Sequence, residues 1–123
     1  MDCEVIFTTD PITPPPLHLP SHEVGACVEF LGIVRELEAG IPLTGLRYEA
    51  YEPMARRKFA EIFAKLEKEH PARGVTVIHR LGWVPVGEAS LFVRVIAKHR
   101  DSALGFCGGM IDRMKADVPI WKT

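Results

Sequence analysis

His99, Arg100, Lys115 and Lys122 fall within one stretch of the chain, A-K-H-R-D-S-A-L-G-F-C-G-G-M-I-D-R-M-K-A-D-V-P-I-W-K from Ala97 to Lys122. An arginine beside a histidine suits a phosphate or another dianion, because the guanidinium fork meets its oxygens two at a time. Arg35, earlier in the chain, supplies a second fork. A lysine partly desolvated beside other cations can act as acid, base or nucleophile near neutral pH. Outside such a pocket, Lys115 and Lys122 are ordinary surface lysines and each arginine is a surface or structural residue. Spacing alone leaves both readings open.

These side chains need elements to hold them. Alternation over Ser90 to Lys98 predicts a strand that runs into His99-Arg100. Asp101 or Ser102 can cap a following helix, whose apolar stripe is Ala103, Phe106, Cys107, Met110, Ile111 and Met114. The start of that helix adds its own partial positive charge beside Arg100. Pro119 stops it, since Val118 before a proline is pushed out of the helical region. A chain that folds back at Pro119 returns Lys122 toward Lys115. Arg35 follows a mostly buried strand predicted over Gly25 to Val34, with Ala26, Val28 and Phe30 on one face. Arg35, His99 and Arg100 each come just after a strand, so they are expected to converge on one rim of a sheet.

The remaining pattern supplies the scaffold. Cys3 to Thr8 predicts a short strand. Leu46 to Tyr51 predicts another, reached through a loop from Glu36 to Thr44 and expected to pair with Gly25–Val34 as a hairpin. Pro53 suits the first turn of a helix on which Phe59, Ile62, Phe63 and Leu66 recur at helical spacing, and Pro71 and Gly74 close it. Val75 to Leu81 and Ser90 to Lys98 are expected to form an antiparallel pair across a turn-rich connection, Gly82 to Glu88. The order β-β-β-α-β-β-α predicts an α+β fold with a largely antiparallel sheet and two main helices. Five prolines between Pro11 and Pro20 predict an extended surface connection. Trp121 reads as packing and His79 as a structural histidine. Pro20 between His18 and His22 breaks the helical spacing a metal pair would need.

Bulk properties narrow the classes. The 123 residues are 47% hydrophobic and 25% charged with a net charge of -1, which fits one globular domain over 1–123, with 11–20 as a connection within it. Nucleic-acid binding lacks both the net charge and the interleaving of basic and aromatic residues it needs. Cys3, Cys27 and Cys107 are odd in number and far apart, so neither a disulfide framework nor a zinc site is expected. No apolar run reaches the roughly 20 residues of a membrane span, and Met1-Asp2-Cys3-Glu4 lacks the basic start of a signal peptide. A cytoplasmic location is the expectation.

An ordered series of segments goes further. Phe30 to Arg35 (F-L-G-I-V-R), Leu46 to Tyr51 (L-R-Y-E-A-Y) with Met54-Ala55, Val77 to Gly82 (V-I-H-R-L-G), Val86 to Glu88 (V-G-E), His99 to Ala103 (H-R-D-S-A) and Met114 to Lys122 (M-K-A-D-V-P-I-W-K) together resemble the large, catalytic subunit family of molybdopterin synthase. The resemblance covers roughly Gly25 to Lys122. It implies an α/β-hammerhead fold that forms a homodimer and binds two copies of a small ubiquitin-like sulfur-carrier subunit, a heterotetramer in all. The carrier's thiocarboxylated Gly-Gly tail would deliver sulfur twice to cyclic pyranopterin monophosphate, opening its cyclic phosphate and leaving the molybdopterin dithiolene of the molybdenum cofactor pathway. No metal or organic cofactor is implied for this step.

Carried over by position, Lys115 and Lys122 match the family's catalytic lysines, His99 and Arg100 its substrate-pocket pair, Arg35 its basic residue after the F-x-G-x-V-R strand, and Phe30 a lining residue of the same region. Members of the family commonly continue past P-x-W-K with an acidic residue and a tail that adds pocket and partner contacts; the sequence here ends at Thr123. A non-catalytic anion- or partner-binding module of the same fold is the alternative expectation.

Overall fold

Two antiparallel strands carry the centre of the molecule: Gly74–Arg80 (β6) and Ala89–Ala97 (β8) pair with Val77 opposite Val93. A computed structural model describes the backbone from Met1 to Thr123 and every side chain except that of Glu38. The other elements are strands Asp2–Thr8 (β1), Ala26–Ile33 (β2), Leu37–Glu38 (β3), Ile41–Pro42 (β4), Gly45–Ala50 (β5), Gly82–Pro85 (β7) and Ile120–Lys122 (β9), with helices Glu52–Glu69 (α1) and Arg100–Asp117 (α2). The main sheet has the order β1-β6-β8-β2; a second sheet has the order β7-β5-β9, and β3 pairs only with β4. Every pairing is antiparallel except β1 with β6. The α+β architecture with two main helices is therefore observed, and the pair Val75–Leu81 with Ser90–Lys98 forms as predicted.

The expected hairpin between Gly25–Val34 and Leu46–Tyr51 does not form. The first segment pairs with β8, and the second joins β7 and β9 in the other sheet. Connection length misled the sequence reading: residues 36–44 close a private hairpin, β3 to β4, through Ala39 and Gly40, both at positive φ, the twist that two-residue turns prefer. The connection after Leu81 likewise holds β7, and the residues after Pro119 hold β9; both were too short to show alternation.

Both helices cover one face of the main sheet. Phe59, Phe63 and Leu66 of α1 meet Phe106, Cys107 and Met110 of α2 above Val77, Val93 and Val95. Each fully buried large side chain contributes about 1.5–3 kcal/mol. Gly105 and Gly109 bring the helices close, because a Cβ there would strike the His70 ring and the Leu66 side chain. The helix α1 starts with Tyr51 as N-cap and Pro53 in its first turn, where proline's missing N–H is harmless. For α2 the N-cap is His99, extended at φ -128 and ψ 149 and without a side-chain cap bond, rather than Asp101 or Ser102. Asp101 instead sits in the first turn, where its charge complements the helix dipole. Val118, extended before Pro119, ends the helix as expected.

The strand β2 departs most from expectation. It is an edge strand, not a buried one, and Phe30, Leu31 and Ile33 are 38%, 48% and 47% exposed. Ala26 and Val28 do pack on the core from the predicted face. The opposite edge, β1, is blunted, since Arg56 Nη1 donates to the Val5 carbonyl at 2.7 Å and its guanidinium lies 5.2 Å from the Phe7 ring centre. Among the described residues no such guard stands along β2. Its one charge, Glu29, is engaged within the chain by Arg94 at 2.6 Å. Among the described residues no helix is long and apolar enough to cross a membrane.

Candidate active site

The two clusters of predicted site residues lie at opposite ends of the main sheet. β2 and β8 are antiparallel, with Ala26 opposite Ala97 and Ile33 opposite Ala89. His99 and Arg100 follow the end of β8 and so sit beside the start of β2, where the Gly25 N–H donates to the Ala97 carbonyl at 3.0 Å. Arg35 follows the other end of β2. Seven steps of about 3.3 Å along that strand leave the arginines more than ~20 Å apart. The expectation that Arg35, His99 and Arg100 converge on one rim is therefore overturned, because neighbouring antiparallel strands end on opposite rims.

Helix α2 enforces the same separation. It has 18 residues, Arg100–Asp117. Fifteen positions at about 1.5 Å each put Arg100 and Lys115 ~22 Å apart along its axis. The helix follows β8 through Lys98-His99 and packs along both β8 and β2, so it must run back over the sheet. Lys115 in its last turn thus reaches the level of Ile33 and Arg35. Lys122 comes to the same end: β9 pairs with β5 so that Lys122 faces Tyr48, and the Arg47 and Thr123 backbones exchange bonds at 3.1 and 2.9 Å. Tyr48 also lies opposite Gly82 of β7, whose strand leads through Val86-Gly87-Glu88 into β8. One end of the fold therefore holds Arg35, Lys115 and Lys122, with Phe30 on the helix-side face of β2. The other end holds His99 and Arg100.

All six are accessible. Arg100 makes a 3.9 Å contact to Asp101, with both side chains almost fully exposed, a pair worth little in water. Its place in the first turn of α2 joins the arginine to the positive end of the helix. Glycine is required just before β2, since a Cβ at Gly25 would strike the Lys98 carbonyl oxygen beside His99. On α2, Gly105, Gly109 and Arg113 face α1, where Arg113 binds Glu69 at 2.9 Å. The opposite flank, one and two turns on, is Leu104, Gly108, Ile111 and Lys115. Leu104 on that flank is 56% exposed.

His79 is the structural histidine the sequence predicted. It is buried, bonded through Nδ1 to the Arg80 carbonyl at 2.8 Å and set edge-on to Tyr48 at 5.2 Å. Burial holds its imidazole below the ordinary value of 6.5, against a smaller upward pull from that carbonyl. Trp121 is not core packing: it is exposed, and its Nε1–H donates to Glu49 Oε2 at 3.2 Å across the β5–β9 pair. Sequence reasoning missed the pair Arg80–Glu88, in which Arg80 Nη1 donates to Glu88 Oε1 at 2.7 Å. The signal was an arginine inside an apolar strand, V-T-V-I-H-R-L.

The family model described as MoaE protein matches residues 7–117. The chain is 46% identical over 105 residues to a molybdopterin synthase catalytic subunit of Oryza sativa subsp. indica, covering 85% of this chain and 54% of that protein. It is 40% identical over 100 residues to one of Bacillus subtilis (strain 168), covering 81% and 64%. The chain thus spans about half the length of the curated plant and mammalian relatives it matches. Among solved structures, molybdopterin synthase from Staphylococcus aureus superposes with a TM-score of 0.81 at 31% identity, over 97% of this chain and 87% of that one. A protein–protein complex of subunits 1 and 2 of molybdopterin-converting factor from Helicobacter pylori 26695 shares the fold, with a TM-score of 0.70 at 24% identity, over 98% and 82%.

Proposed function

The chain belongs to the MoaE protein family, and on that premise we propose that it is the catalytic subunit of a molybdopterin synthase. Its substrate is cyclic pyranopterin monophosphate, and its sulfur donor is the thiocarboxylated C-terminus of a small ubiquitin-like carrier subunit. Lys115 and Lys122 move protons during sulfur addition and loss of the phosphate ester bond. Arg35, His99 and Arg100 hold the phosphate, and Phe30 gives the pterin an apolar wall. The thiocarboxylate is an anion, so the same cationic field draws in the carrier's tail.

The observation that carries this reading is the unguarded edge of β2. No single copy can close one small pocket over both ends of α2, but two copies can. A two-fold axis perpendicular to the sheet would pair β2 with its own copy antiparallel, extending the main sheet across the dimer. The Arg35 end of one β2 would then lie beside the Ala26 end of the other. Arg35, Lys115 and Lys122 of one protomer would meet the partner's His99 and Arg100, twice per dimer. The flank of α2 that carries the exposed Leu104 and Gly108, on the β2 side, would face its mate across the same axis. Each of the two pockets would take one carrier tail, which makes a heterotetramer.

The test is direct. The protein is mixed with thiocarboxylated carrier and cyclic pyranopterin monophosphate, and molybdopterin is measured. Dithiolene product that depends on Lys115 supports the enzyme; carrier binding without product, unchanged in Lys115→Ala, would instead mark a non-catalytic binding module.

A further inference from the structure

We propose that Arg80 and Glu88 are positioning residues that set the direction of Arg35. This rests on the reading of Arg35 as a phosphate ligand, and it concerns side chains that reading leaves without a role.

Arg80 ends β6 with the peptide group that follows it held at both of its polar atoms: its carbonyl takes the His79 Nδ1–H bond at 2.8 Å, and the next N–H, of Leu81, donates to the Thr8 carbonyl at 2.7 Å. Its side chain is nine-tenths buried and reaches Glu88 Oε1 at 2.7 Å. Its Nε has no hydrogen-bond partner among the described residues. Burying a guanidinium with a donor unsatisfied is unfavourable, and apolar side chains fill such a place with less penalty. What the arrangement secures is the turn at Pro85–Glu88. The Glu88 N–H donates to the Pro85 carbonyl at 3.1 Å, and Gly87 takes the positive φ of 87° that this turn demands.

That turn grips the residue before Arg35. The Val34 N–H donates to the Glu88 carbonyl at 3.0 Å, and the Gly87 N–H donates to the Val34 carbonyl at 2.8 Å. The Val34 side chain is buried with Leu46 and Val84. On the far side, the Glu36 carbonyl accepts from the Leu43 N–H at 2.8 Å. Arg35 is thus an exposed cation between two anchored neighbours, and the anchor on its N-terminal side leads through Glu88 to Arg80 in the central sheet. A site of this kind works only when its ligands are held by such support.

The experiment is a double-mutant cycle on the full chain with its carrier. Glu88→Gln removes the charge from a half-exposed side chain of the same shape, and Arg80→Lys serves as the second variant should the first fail to fold. Glu88→Gln is expected to raise KM for the pterin substrate about 5-fold with little change in kcat, and to add less than about 2-fold when Arg35→Ala is already present. Effects that multiply independently, or a fall in kcat with KM unchanged, would overturn the proposal. An activity-free arm separates it from the enzymatic reading: inorganic phosphate is titrated while the Glu36 amide is followed by NMR. A phosphate response weakened by Glu88→Gln only when Arg35 is intact supports the positioning role even if no molybdopterin forms. A wild-type chain with no response there, or a weakening that persists in Arg35→Ala, would overturn it.

Discussion

Arg100 and Lys115 stand in the first and last turns of one 18-residue helix, ~22 Å apart at about 1.5 Å per residue. Both are surface cations, yet neither can reach a small ligand held by the other. The distance turns a linear motif into a statement about assembly. Lys115 shares its helix flank with the exposed Leu104 on the side of the open β2 edge, so the lysine faces where a second copy would lie.

Lys115→Ala is expected to reduce molybdopterin formation by about 100-fold or more, the scale of a lost general acid or base. Its side chain is exposed and outside the core, so unfolding free energy is expected to change by no more than about 0.5 kcal/mol. Single-turnover product formation and urea unfolding, measured on the same preparation, check the two halves.

The double substitution Leu31→Lys with Ile33→Lys is expected to give a folded monomer. Both side chains are about half exposed on the edge strand, so each change should alter the stability of a lone copy by under about 0.5 kcal/mol. Lysines are how natural edges refuse a partner strand. Light scattering after gel filtration reads the mass, and activity is expected to disappear with the dimer although all six site residues remain.

Acid is expected to destabilise the fold through His79. Burial keeps its imidazole neutral below the ordinary value of 6.5, so as pH falls through that value the unfolded chain takes up a proton that the folded chain does not. Stability then declines with falling pH until the folded pKa is passed, and above the unfolded pKa the penalty is absent. Urea unfolding between pH 7.5 and about pH 5 is expected to show a shallower decline in His79→Gln than in wild type, by as much as about 1.4 kcal/mol per pH unit. Equal slopes would remove His79 from the account.

The helices and the central strand pair were legible because their apolar residues recur over many turns: Phe59, Ile62, Phe63 and Leu66 on one helix, Phe106, Cys107, Met110 and Met114 on the other. Strands of two to four residues, β3, β4, β7 and β9, carry no period to read. Partner choice was also hidden, since Leu46–Tyr51 could join either sheet by pattern and does so through β7 and β9. The apolar run from Gly25 to Val34 predicts a mostly buried strand by its hydrophobicity alone. The exposure of Leu31 and Ile33 follows from β2's place at the sheet edge, which the pattern of apolar residues does not show. The residue types of the site were visible, whereas their division between two ends of one copy depended on strand direction and helix length.

Subunit mixing tests the central claim most directly. Arg100→Ala and Lys115→Ala homodimers are each expected to be inactive, because every pocket lacks one group. After exchange, half the dimers are mixed, and each mixed dimer has one intact pocket, so activity should recover to about one quarter of wild type. Arg35→Ala mixed with Lys115→Ala should recover nothing, since those two residues come from the same copy. A mixture of Arg100→Ala and Lys115→Ala that stays as inactive as its parents, with mixed dimers demonstrably present, would contradict the shared pocket.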